Sequence, residues 1–194
     1  MRNAANKCGH DIYIIGDHVF GDAPDLTKPD NRFLLLDAVT NFDVYGSAGK
    51  PLKYAGTGPV DDYYMEQAEW RELAHMNDCR FIPAVSPGYN DRGVRLEADH
   101  PPLSRKLTST SEEGSLFRYK LQKALPLVDP VVDNLILVNS FNEWHEDTQI
   151  EPCGPLHSTS AIPVTLTGGL QYEGYGELYL DILRDSTVLN SDEL

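Results

Sequence analysis

The chain has 194 residues, with 30 Asp and Glu against 16 Lys and Arg, and a formal net charge of −14. An apolar fraction of 41% is enough to bury a core and excludes wholesale disorder, while the acidity excludes a surface built for nucleic acid or an anionic membrane, since both need clustered Lys and Arg. No apolar run reaches the roughly 18 residues of a membrane span, and three scattered cysteines, Cys8, Cys79 and Cys153, suit neither a disulfide framework nor a zinc ribbon.

The first seven residues lack the apolar region of a secretory signal. Residues 11–15 form the first short apolar run and lead into Gly16, Asp17 and His18. Residues 33–39 form the second, ahead of Asn41, Phe42 and Asp43. Residues 61–76 carry Tyr64, Ala68, Leu73 and Ala74 at helical spacing behind an acidic start, which predicts a helix. A third run, 80–85, precedes Ser86-Pro87-Gly88-Tyr89-Asn90-Asp91, and a second helix over 116–125 stops near Pro126. The fourth run, 134–138, enters the motif described below, and a last helix over 175–184 follows the glycine-rich stretch 168–176. The tail Ser191-Asp192-Glu193-Leu194 looks like an ER-retention signal. With no signal region ahead of it, coincidence is the better reading, and the compartment stays open.

The four runs are rich in Ile, Leu, Val or Phe without alternation, the pattern of parallel strands covered on both faces. Strand and helix in alternation predict an α/β fold with a parallel sheet. Every cluster of chemically capable residues follows a strand, as in a TIM-type (β/α)8 barrel, although a doubly wound sheet also places its ligand there. A full barrel needs about 250 residues and eight strands. Four strands make half of one, so either the chain holds strands beyond these four runs or it is the second half of a longer protein, and residues 1–194 are expected to form a single partial barrel domain of about four βα units.

The stretch Asn139-Ser140-Phe141-Asn142-Glu143-Trp144-His145-Glu146 brings two carboxylates, an indole and an imidazole to the end of a buried strand. If the chain turns helically after Phe141, Glu143 and Glu146 lie on one face, roughly 5–6 Å apart at Cβ. Glycoside cleavage needs one carboxyl to protonate the leaving oxygen and a second for the other half of the reaction. Close carboxylates also push their pKa values apart, so one can stay protonated near neutral pH. Trp144 offers an apolar platform for a sugar face and His145 a hydrogen bond. A plain acidic helix start accounts for the spacing equally well. A metal site of Glu143, His145 and Glu146 is a third reading, weakened by the lack of paired-His spacing.

The run from Asn139 to Pro152 resembles the hallmark stretch of glycoside hydrolase family 99, the endo-α-1,2-mannosidase and mannanase family, with Asp147 where a Gly is common. Residues 81–91, with Pro87-Gly88-Tyr89, are similar to the family's Pro-Gly-Tyr segment, and the helix ending at Trp70 and residues 175–183 also look like related sequences. The resemblance covers the C-terminal half or so of a family member. It implies a (β/α)8 barrel, retention of anomeric configuration and no cofactor. By motif position it makes Glu143 the group that deprotonates the sugar 2-hydroxyl, and Glu146 the acid that protonates the leaving group and then serves as base for water. It also implies an oligosaccharide or polysaccharide substrate contacted by Asn142, Trp144, His145, Tyr89 and Asp91, and no metal. Thr40 and Phe42 stand where the family carries site tyrosines, which bears on α-mannoside specificity more than on glycosidase chemistry. A non-catalytic carbohydrate-binding remnant, or an inactive fragment, is the competing expectation. His18, Asp17 and Asp43 are weaker candidates, and Glu151 is a candidate support for the carboxylates. No phosphate cradle, nucleophile elbow or Cys–His arrangement stands out.

Overall fold

The computed structural model describes residues 2–17, 33–42, 53–97, 100–154 and 164–188. The readings at His18, Asp43 and the tail 191–194 lie outside them.

Among the described residues, five short strands are all paired in parallel. β1 (Ile15–Asp17) lies beside β2 (Ala38–Thr40), and β2 beside β3 (Arg80–Phe81), with Ile15 opposite Ala38 and Ala38 opposite Arg80. β4 (Ala84–Val85) pairs with β5 (Leu137–Val138), Val85 opposite Val138. The predicted strand 80–85 is thus one extended segment used in two directions. Ile82 N–H donates to Val39 O at 2.9 Å on one side, and Leu137 N–H donates to Pro83 O at 2.9 Å on the other. Pro83 has no N–H to give, so the ladder toward β2 stops there. The resulting order is β1, β2, β3 with β4, then β5, in a strand-and-helix alternation of (β/α) barrel type with fewer strands than a closed barrel needs.

Helix α1 (Arg2–Lys7) precedes β1, α2 (Thr57–Met76) lies between β2 and β3, α3 (Ser115–Ala124) between β4 and β5, and α4 (Val164–Thr167) and α5 (Leu178–Thr187) follow β5. The expected strand 33–39 opens instead as a 3-10 turn, Phe33–Leu35, which buries Phe33 and points Leu34 and Leu35 outward. β5 begins later than expected because Asp133 and Asn134 adopt left-handed conformations, φ 56° and 55°, which no strand accommodates.

Two apolar clusters hold the layers together. Val60, Tyr64, Val85, Leu116, Phe117, Leu121, Tyr179 and Ile182 join α2, α3 and α5 to β4. Phe33, Val39, Trp70, Leu73, Cys79 and Phe81 join the other end of α2 to β2 and β3. Central strand residues Ala38 and Val39 are fully buried, whereas Ile15 at one end of the sheet and Leu135 just before β5 at the other are 42% and 40% exposed. These are the two flanks where a barrel's further strands would pack. Among the described residues, no helix is long and apolar enough to cross a membrane.

Candidate active site

The end of β5 builds the site. Asn139, almost fully buried, donates from Nδ2 to Phe42 O at 2.7 Å, tying this strand end to that of β2. The segment 140–151 then closes on itself. Ser140 N–H donates to Thr148 O (2.9 Å), Ile150 N–H to Ser140 O (3.0 Å) and Glu151 N–H to Phe141 O (2.8 Å). Ser140 Oγ accepts from Glu143 N–H at 2.9 Å and meets Thr148 Oγ1 at 2.9 Å. Inside this loop the chain makes a single 3-10 turn, Trp144–Glu146, tighter than the α-turn expected, with Glu143 as its N-cap. The Glu143 carboxylate accepts from His145 N–H at 3.0 Å, the usual way to satisfy an orphan donor at a helix start. Asp147 ends the turn in the left-handed region, φ 53°.

The two carboxylates have separate partners. Glu143, 44% exposed at its side chain, lies 3.2 Å from His145 Nδ1. Glu146, 19% exposed, accepts from Arg95 Nη2 at 2.9 Å, and its carbonyl accepts from Asn90 N–H at 2.7 Å. The structure thus brings Glu143, Trp144, His145 and Glu146 together on one turn. It adds Tyr89 and Asp91 through Arg95, whose Nη1 donates to Tyr89 Oη at 2.9 Å and to Asp91 Oδ2 at 2.5 Å. Asp91 is 1% exposed, so it acts inside this network and not on the surface. Asn142 is exposed and lends its carbonyl to Trp144 N–H at 3.0 Å. Trp144 is half exposed, and its Nε1–H donates to Glu151 at 2.8 Å, so Glu151 orients the indole and not a carboxylate. Asp17 accepts from Phe42 N–H at 2.8 Å, bracing a neighbouring strand end. Glu146 is turned to Arg95, so Glu143, His145 and Glu146 do not converge; among the described residues no group of three or more His, Cys, Asp or Glu is placed to hold a metal.

The loop carrying Tyr89 is held by mutual backbone bonds between Tyr89 and Leu103, 3.0 and 2.7 Å. Gly88 permits this approach: a Cβ there would lie 2.8 Å from Arg105 Cγ and 3.0 Å from Leu103 O. Gly88→Ala is expected to cost about 1–3 kcal/mol of stability by overpacking, read from a denaturant midpoint.

Burial alone would push the Asp91 carboxyl up, but hydrogen bonds from Tyr89, Arg95 and His100 outweigh it and hold it below the ordinary 3.8. A carboxyl lowered in the folded state contributes stability above its unfolded pKa and loses it as pH falls through the folded value. The melting temperature of the parent should therefore fall more steeply than that of Asp91→Asn as pH drops below about 4. Parallel curves would remove Asp91 from the acid response.

Sequence reading did not find Arg95, Arg105 or Tyr172. Arg95 carried a signal, since it stands four residues after Asp91 in a loop of otherwise turn-forming residues. Arg105 and Tyr172 carried none, because their partners are 42 or more residues away. Tyr172 Oη accepts from Asn90 Nδ2 at 2.8 Å and lines a cleft of about 140 Å³ with Arg105, Trp144, Asp147, Glu173 and Tyr175. Thr40 is buried and Phe42 is half exposed, so neither presents a hydroxyl where a site tyrosine was looked for.

The profile of glycosyl hydrolase family 99 matches residues 40–184. A glycoprotein endo-alpha-1,2-mannosidase of Xenopus laevis is 35% identical over 118 residues, which are 59% of this chain and 22% of that protein. A glycoprotein endo-alpha-1,2-mannosidase-like protein of Mus musculus is 38% identical over 85 residues, 44% of this chain and 17% of its own length. Among solved structures, a glycoside hydrolase-like protein superposes with a TM-score of 0.63 at 21% identity, covering 97% of this chain and 48% of that one. The GH99 endo-alpha-mannosidase of Bacteroides thetaiotaomicron does so with a TM-score of 0.53 at 23% identity, covering 91% and 45%. The chain thus spans about half the length of these structures and about a fifth of the sequence relatives.

Proposed function

From the premise that the chain belongs to glycosyl hydrolase family 99, we propose that it carries the catalytic turn of a glycosidase acting on α-linked, mannose-type glycans. Glu143 takes the proton of the sugar 2-hydroxyl as that oxygen attacks C1. Glu146 gives its proton to the glycosidic oxygen as the C1–O bond breaks, leaving a 1,2-anhydro sugar. Water then opens the ring at C1, Glu146 takes its proton, and Glu143 returns one to the 2-oxygen, so the configuration is retained and both residues are restored. Trp144, His145, Asn142 and Tyr89 line the approach of the sugar, and Asp91 acts through Arg95. The observation that supports this reading best is the pairing of two carboxylates on one turn at a strand's C-terminal end, one capping the turn and one held by Arg95.

A non-catalytic carbohydrate-binding role is the second reading, favoured by the exposed flanks at Ile15 and Leu135, where no wall encloses the substrate among the described residues. Mass-resolved product analysis with α-1,2-linked manno-oligosaccharides separates the two. Cleavage by the parent but not by Glu143→Gln or Glu146→Gln supports the enzyme. Saturable binding without cleavage by the parent supports the binding role.

A further inference from the structure

Asp147 is a poor residue for its own backbone. It ends the turn at φ 53° and ψ 33°, a conformation that favours glycine. Its side chain and carbonyl are both gripped by Arg105. Arg105 Nε donates to Asp147 Oδ1 at 3.1 Å, and Nη2 donates to Asp147 Oδ1 at 2.9 Å, to Asp147 O at 3.0 Å and to Gln149 O at 3.0 Å. The guanidinium is 4% exposed and lies over the Tyr175 and Tyr179 rings, 5.1 and 4.9 Å from their centroids. Tyr179 is itself fixed by donating to Glu113 at 2.5 Å, and Tyr175 by donating to Glu151 O at 2.9 Å.

We propose that Arg105 is the positioning residue of the carboxylate turn, acting through Asp147: it fixes where the turn ends and thereby where Glu143 and Glu146 stand. None of its hydrogen bonds reaches either glutamate; it acts through the carboxylate and carbonyl of Asp147 and the carbonyl of Gln149. Planarity matters here, since a fork can grip a carboxylate and two carbonyls at once and an ammonium cannot. The proposal rests on the glycosidase reading for its kinetic consequence but not for its structural one.

The test uses Arg105→Lys, Arg105→Met and Arg105→Met combined with Asp147→Gly. The first readout is the indole N–H resonance of Trp144, which lies inside the turn and bonds Glu151; Trp70, the other tryptophan, is buried far along α2 and serves as an internal reference. The expected result is a displaced Trp144 resonance in folded Arg105→Lys and a larger displacement in Arg105→Met, with Trp70 unmoved. Removing the stranded carboxylate by Asp147→Gly should bring the resonance part of the way back. The second readout is turnover of α-1,2-linked manno-oligosaccharide: kcat falls about 10-fold in Arg105→Lys and about 100-fold in Arg105→Met, while KM changes less than about threefold, since small misplacement of reacting groups costs rate and not binding. An unmoved Trp144 resonance in folded Arg105→Lys overturns the proposal whether or not the parent cleaves glycans. A parent without cleavage overturns the glycosidase reading alone, and the resonance still decides on Arg105.

Discussion

Glu146→Gln is expected to cut turnover of α-1,2-linked manno-oligosaccharides by about 10³-fold, in the middle to upper range of what a positioned general acid supplies. The substitution keeps the shape and an acceptor oxygen for Arg95, which sits 2.9 Å from the carboxylate, so the turn and the Tyr89–Asp91 network should survive. What is lost is a proton to give to the leaving oxygen and a base for the incoming water. A substrate whose leaving group needs no protonation therefore separates the roles. With a nitrophenyl leaving group the first step of Glu146→Gln should recover by orders of magnitude, while Glu143→Gln should stay slow, because its defect is at the 2-hydroxyl. Equal recovery of both variants, or parent-like turnover by Glu146→Gln on the oligosaccharide, sinks this division of labour.

Lys120→Met should stabilise the protein at pH 7 by about 2 kcal/mol or more, a rise in melting temperature of roughly 4–8 °C for a chain of this size. Lys120 lies on α3 with no exposed surface, and its Nζ donates to Ser86 Oγ at 3.0 Å. Burial pushes its ammonium down from 10.5 to about 7. Between these values the unfolded chain holds a proton that the folded chain does not, so stability rises with pH across that interval and the penalty is greatest near and below pH 7. The methionine fills the same volume without that cost and forfeits one neutral hydrogen bond worth about 1 kcal/mol. The advantage of the variant should shrink steadily as pH is raised toward 10. A pH-independent difference would show that Lys120 is not the titrating group.

Much of this was legible in the residues. Apolar runs without alternation pointed to parallel strands but placed them early, the run 11–15 meeting β1 only at Ile15, whereas helical spacing placed α2 and α3 to within a few residues. The turn that brings Glu143 and Glu146 together could be read because both lie on one short loop, and the roles given to them are the proposal above. Strand ends were harder. Pro83 divides one run between two neighbours, and left-handed Asp133 and Asn134 delay β5, which are effects of backbone conformation that composition does not display. The cations were hardest. Arg105 joins Asp147 across 42 residues, and Arg95 joins Glu146 across 51, so nothing short of the folded chain could pair them. Their absence from the sequence reading left the glutamates without the groups that hold them in place.

The bond from Asn139 to Phe42 O has a bearing on how such a site can change over generations. It is a side-chain amide reading a backbone carbonyl, so it is indifferent to which residue occupies position 42. The rim beside β2 can therefore exchange its side chain while the amide keeps that rim docked to the loop bearing Glu143 and Glu146. Replacement at Asn139 has no such freedom, since it would release both rims together. Side-chain variation is open at position 42 and closed at 139.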